Sequence, residues 1–471
     1  MATPVVLTTG ARPITPVESG GVPMTPVDTL GEPVTVVDTL GEPVVLVNND
    51  GTPAFLAYSA KTYLGGVAPY HWLDFINNRA LYASVDVGNV TQATGYSFTR
   101  ASTGYYQNAD GTLTSFASGA LRRGDRGVLI EGSRTNLLLR SQTFDNAYWI
   151  KTRVSVTANA TTAPDGTNTA AKLVEDSSTN THKLESTTFS TGLTSGINYA
   201  YSVFLKASER TWAVLEVTGA LGGGYAWFNL ANGTVGTTVN LVSASVQALA
   251  NGWYRCTIVD LSTGTGDGAT SCNIFPATAD NVVNYTGNGT SGIFIWQADL
   301  QAGAFPSSPI VTVAASATRA ADVLTYTAGV SYPATLWAEW QRIDGTDATS
   351  FYRVLSVNTI ANETALYHRH TNDVVRAYQN NASVIQADLT LGTANIGGIH
   401  KAAGSFGANN VRGSLSGAAV TSDLSVTMPS DPALMAIGAN TGGSNNLFGH
   451  IRRIAVFNSA LTDAQLQTTT S

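Results

Sequence analysis

The stretch NYAYSVFLKA at residues 198–207 decides the fold class. Tyr199, Tyr201, Val203 and Leu205 alternate with other residues, and successive side chains of a strand point to opposite faces, so these four share one face. GIFIWQADLQA at 292–302 reads the same way, placing Phe294, Trp296, Ala298 and Leu300 together. Between such runs an Asx-Gly-Thr triplet recurs, beginning at Asp50, Asp110, Asp165, Asn232, Asn288 and Asp344. Asx-Gly favours hairpin turns with positive φ, so several triplets are expected to join antiparallel strands. Many short strands with frequent turn signals indicate an all-β protein of antiparallel β-sandwiches, of jelly-roll and concanavalin-like kind. One short helix is expected near the end, where Thr462 and Gln465 form a capping box and Leu461 and Leu466 are spaced as a hydrophobic staple.

Composition narrows the function. The chain has 471 residues, 43% of them hydrophobic, which is enough for two to four domains. Only 12% are charged and the net charge is −7, so nucleic acid is not an expected partner. No apolar run is long enough for a membrane span, and MATPVVLTTG lacks the basic and apolar regions of a secretory signal, so a cytosolic origin is expected. Cys256 and Cys272 read as buried thiols flanking a hairpin.

The first 55 residues carry a decapeptide repeat. Pro13, Pro23, Pro33, Pro43 and Pro53 recur every ten residues, within units such as GVPMTPVDTL and GEPVTVVDTL. Glycine permits the turn, while proline fixes φ and removes a donor, so each unit reads as a short extended piece. Ordering a residue costs roughly 1–2 kcal/mol, and a single extended chain buries too little to offset that. Residues 1–58 are therefore expected to be an attachment strip ordered by neighbouring chains.

Three further stretches carry a resemblance. LDF at 73–75, FTRASTGYYQNADGTL at 98–113 and GVLIEGSRTNLLLRSQTFDNAYWIK at 127–151 resemble a segment of tailed-bacteriophage virion proteins, tail-fibre and minor structural proteins above all. Residues 134–318, with NGWYRCTI at 251–258, are similar to carbohydrate-binding-module jelly rolls. Residues 319–471, with LWAEW at 336–340 and LFGHIRRIAVFNSALTDAQL at 447–466, resemble laminin-G-like and concanavalin-like sandwiches. Residues 59–133 then read as a connector. The resemblance implies a virion location after assembly in a bacterial cytoplasm, other virion proteins (capsid or tail) as partners through residues 1–58, and a homo-oligomer, in fibres often a trimer. It also allows calcium, for which the sequence assigns no ligands.

Catalytic signals are sparse. Val128–Ile130 reads as a buried strand followed by a Glu131/Arg134 pair around a glycine turn. Glu339 stands without the alternating carboxylates that a sandwich glycosidase needs, and no nucleophile elbow or phosphate loop occurs, so no catalytic residue and no enzyme activity is expected. His368 and His370 form a His-x-His pair that reads as a solvated strand face rather than a metal site. For sugar stacking the candidates are Trp212, Trp227, Trp337 and Trp340, with Trp253 weighed beside them. Trp337 and Trp340 lie on opposite faces of one strand, so one of them is expected to be the less buried. The expected function is a virion fibre, spike or decoration protein that attaches to host-surface glycans. The alternatives are a purely structural capsid decoration protein and, third, a polysaccharide-degrading tailspike.

Overall fold

The computed structural model describes residues 8–9, 12–13, 60–61, 63–189, 192–264, 269–343, 351–369 and 372–471. Apart from a small hairpin pairing Thr8–Thr9 with Arg12–Pro13, the repeat strip lies outside the described residues, as do the triplets beginning at Asp50 and Asp344. The protein is all-β, with its chain divided into two compact units. One comprises Phe98–Asp322; the other draws on residues before Phe98 and after Asp322, so the first is an insertion in the second.

In the inserted unit two antiparallel sheets form a sandwich. The first runs in the order Trp149–Thr152, Lys183–Ser186, Cys272–Ala277, Trp212–Val217, Tyr225–Asn229, Thr234–Val239. The second runs Val154–Thr161, Ala170–Glu175, Gly292–Ala302, Asn198–Ala207, Trp253–Leu261, Ser243–Ala248. Tyr199, Tyr201, Val203 and Leu205 all enter the core, where they meet Leu184, Leu215, Phe228 and Ile274 of the first sheet. The face expected along 292–302 is split. Gln297, at φ 45°, bulges out between Trp296 and Ala298, and an extra residue flips the alternation. Ala298 and Leu300 therefore join the core, whereas Trp296 packs outside the sandwich with Phe204 and Trp253. Tyr105 and Leu113, from the hairpin Gly104–Gln107/Leu113–Phe116, cover that outer side.

The triplet turns follow the expected chemistry. Asp110 Oδ1 accepts the Thr112 backbone N–H at 2.9 Å with Gly111 at φ 85°, and Asp165 repeats this with Thr167 at 3.0 Å. These two triplets and the one at Asn232 each join paired antiparallel strands. The Asn288 triplet instead links Asn284–Thr286 to Gly292–Ala302, which pair with other strands. Cys256 and Cys272 are free, buried thiols, and burial raises both thiol pKa values. They do not flank a hairpin, because their strands belong to different sheets.

Five buried charged residues form one cluster within the inserted unit. Arg122 donates to Glu131 at 2.5 Å and to Asp322, Arg100 donates to Asp322 at 3.1 Å, and Arg319 lies 3.7 Å from Glu131. Burial by itself would raise the Glu131 pKa, but Arg319, Arg122 and two bonds from Ser308 hold it well below the usual range. Arg134, on the other side of the glycine turn, donates to the Ala302 carbonyl and lies over Phe305.

The second unit is also a sandwich. One sheet runs Thr421–Asp423, Asn410–Leu415, Ile399–Gly407, Ala334–Arg342, Gly449–Phe457, His71–Asp74, Arg79–Tyr82, Val85–Gly88. The other runs Val384–Thr393, Val374–Asn381, Thr364–Arg369, Phe351–Val357, Leu434–Ile437, Val323–Thr327. Of the stretch 59–133, residues up to Ser97 thus belong with the carboxy-terminal sandwich and those from Phe98 with the inserted unit. The helix Asp463–Thr470 has the expected capping box, and Leu461 and Leu466 are buried beside it. With Ala60 and Leu64 they cover Trp72, Trp337, Ala455 and Phe457 on the outer side of the first sheet.

Candidate functional site

The four tryptophans named as sugar-stacking candidates fall into two groups. Trp337 and Trp340 are both fully buried, so neither offers a ring face to a ligand. The expectation that one would be more open fails for a tertiary reason. Trp340 faces the other sheet, its ring 6.5 Å from that of His368, while Trp337 is roofed by the helix and donates its indole N–H to the Thr469 carbonyl at 2.8 Å. Trp253 is buried too and bonds the Thr162 carbonyl at 3.1 Å.

Trp212 and Trp227 come together. They share an apolar cluster with Val214, Phe275, Ala277 and Tyr225 on the outward side of the inserted unit's first sheet, away from the main core. Strand pairing explains the grouping. Ala277, Trp212 and Asn229 form one row across three strands, and Phe275, Val214 and Trp227 form the next. Glu185, Asn273, Glu216 and Tyr225 continue as a third row across four. Neighbouring strands lie about 4.8 Å apart, so that last row spans roughly 14 Å.

Loop geometry sets what stays open. Asp280 accepts the Thr237 N–H at 2.8 Å and its hydroxyl at 3.1 Å, pinning the loop after Ala277 to the edge strand Thr234–Val239. Trp227 donates to the Val282 carbonyl at 3.3 Å and is buried under this loop. A Cβ at Gly236 would lie 2.8 Å from Trp212 Cζ3 and 2.4 Å from Asp280 Oδ1, so glycine is needed for the close approach. Trp212 and Tyr225 remain partly exposed, with Tyr225 edge-on to Trp227 at 5.3 Å between ring centres. Beside them Glu216 accepts from Asn273 at 2.6 Å, and Glu185 pairs with Lys183 at 2.8 Å and accepts from Ser271 at 3.0 Å. The result is an aromatic shelf bordered by the partly exposed carboxylates of Glu216 and Glu185, with Asn273 completely buried beneath and holding Glu216 in place. Sequence reading missed Tyr225, Glu185, Glu216 and Asn273, because their grouping depends on pairing between strands far apart in the chain.

Other candidates are engaged in structure. Glu339 accepts from Arg453 at 2.8 Å, Tyr63 at 2.9 Å and Arg452 at 3.1 Å. Burial and then Glu339 push the Tyr63 hydroxyl up to about 12. His368 does not lie on a solvated face: it is completely buried, 3.7 Å from Asp373. His370 lies outside the described residues. Among the described residues, no group of three or more His, Cys, Asp or Glu is placed to hold a metal ion. No helix among them is long and apolar enough to cross a membrane.

No protein-family model matches the chain, and no curated protein matches it. Among solved structures it is similar to the native heptameric SAP-like pentraxin from Limulus polyphemus, with TM-score 0.24 and 13% identity over 30% of this chain and 73% of that one. It is also similar to domains LG4-5 of the mouse laminin alpha1 chain, with TM-score 0.19 and 13% identity over 61% of this chain and 88% of that one.

Proposed function

We propose that this chain is a structural component of a tailed-phage virion, held to other virion proteins by residues 1–58 and attaching to host-surface glycans. The observation that carries the attachment reading is the outward shelf of Trp212 and Tyr225 beside the carboxylates of Glu216 and Glu185. Flat aromatic faces suit the apolar side of a pyranose, and oriented carboxylates suit its hydroxyls. The virion reading is supported by the sequence text around GVLIEGSRTNLLLR and by the proline repeat. A shallow open shelf binds weakly, so it becomes useful when a homo-oligomer, such as a trimer, presents several copies.

The test is glycan-array binding by the full-length chain, displayed multivalently, together with its localisation on purified particles by electron microscopy. Binding that is lost in Trp212→Ala supports attachment. Particle localisation with no glycan bound favours a purely structural decoration protein, and absence from particles removes the virion reading.

A further inference from the structure

Where the attachment strip joins the folded structure constrains which surface meets the partner. The last repeat proline, Pro53, precedes Ala60 by seven residues. Extended chain reaches at most about 3.6 Å per residue, so whatever grips that repeat unit lies within about 25 Å of Ala60. Ala60 is fixed. It is fully buried, Leu64 donates its N–H to the Ala60 carbonyl at 3.0 Å, and both side chains share one cluster with Leu461 and Leu466. Gly65 also packs on Thr468, where a Cβ would come within 2.3 Å of its methyl carbon. Lys401 ties the same corner, donating to the Ser471 carbonyl at 2.6 Å and lying 5.0 Å over the Tyr63 ring.

We infer that the surface formed by the helix Asp463–Thr470 and the turn at Tyr63–Gly66 faces the virion protein that holds the repeat strip, so that residues 463–471 lie at the attached end of the molecule. The inference rests on the attachment role proposed above for residues 1–58. The partner it fits is a polar protein surface carrying acidic groups, because Lys61, Lys401 and Arg412 outnumber Asp463, which Arg412 meets at 2.8 Å. Tyr63, 36% exposed, supplies an aromatic contact beside them.

Cysteine labelling tests this, since both native thiols are completely buried and leave the background low. Ala464→Cys places a thiol on the exposed side of the helix, and Val384→Cys places one at a position 59% exposed on the other sheet's edge strand. A bulky maleimide polymer should modify Ala464→Cys at least ~10-fold more slowly in assembled particles than in the free chain, as occlusion of a thiol requires, while Val384→Cys reacts equally in both. Equal rates at Ala464→Cys in the two states overturn the inference, and so does equal slowing at both positions. If the free chain incorporates into no particle, the attachment role itself fails, and that outcome is told apart by the missing protein band before any labelling.

Discussion

Trp337 and Trp212 both stand on the outward side of a sandwich sheet, yet one is sealed and the other half open. Neither strand predicts this by itself, since both are aromatic-rich and alternate. Over Trp337 the chain lays an eight-residue helix and the turn at Ala60, which bury it completely. Over Trp212 and Tyr225 it lays only the short loop held by Asp280, which closes on Trp227 and leaves its neighbours accessible. The inserted unit's second sheet gives a third case, its outward side covered by a hairpin and by buried polar groups around Asp299. An outward sheet face stays open only where no other segment has been laid over it.

The contrast can be broken most strongly at Trp337. Trp337→Ala should destabilise the protein by about 3–5 kcal/mol in chemical denaturation, because it leaves a cavity under the helix as well as losing buried apolar area. A loss below about 1 kcal/mol would show that the roof is not tightly packed.

Asp299 sharpens the contrast between the inserted unit's two outward faces. Burial raises its carboxyl to about 6, against the opposing pull of Arg255 at 3.8 Å and bonds from Gln297 and Ile310. A carboxyl that titrates near 6 when folded and near 4 when unfolded binds more protons in the folded state between those values. Its contribution to stability is therefore greatest in acid and falls as pH rises through about 6, as the linkage relation requires. Asp299→Asn should flatten that part of the stability profile, measured by denaturation between pH 4 and 7. An unchanged slope would mean that the covered face is wetter than its burial implies.

At the helix cap the expected change is smaller. Thr462→Ala removes the side chain that accepts the Gln465 N–H at 3.3 Å and should cost about 1 kcal/mol. Loosening of the roof should then speed amide hydrogen exchange in Asp463–Thr470 before global unfolding; exchange there only through the global transition would make helix and sheet one cooperative unit.

The smallest effect on stability, and the largest on binding, is expected at the open shelf. Trp212→Ala should lower stability by less than about 1 kcal/mol, because its ring is only partly covered, yet abolish multivalent glycan binding. Binding that survives intact would move the site elsewhere.

Much of the fold was legible. The alternation at 198–207, the Asx-Gly-Thr turns and the capping box at Thr462 are local signals, and local hydrogen bonding or alternation is enough to produce each of them. What failed were inferences that needed a partner. The partners of Glu131, Arg122 and Arg319, come from elsewhere in the chain, and the strands carrying Cys256 and Cys272 separate into different sheets rather than flanking a hairpin. The alternation along 292–302 broke at Gln297, because a single bulge residue inverts every face after it. The candidate site was half legible: Trp212 and Trp227 were named among the candidates, whereas Tyr225, Glu216 and Asn273 join them only through strand pairing.

The sequence by itself determined that this is a strand-and-turn protein with a proline-repeat segment, because β-branched alternation, Asx-Gly turns and a fixed ten-residue period act over a few residues. Only the tertiary structure decided that residues 98–322 interrupt a sandwich whose strands lie on both sides of them in the chain, and which aromatic faces stay open. Both outcomes depend on which distant segments pair with or cover a given strand. That is settled by the combined burial of many contacts, which no single stretch of sequence contains.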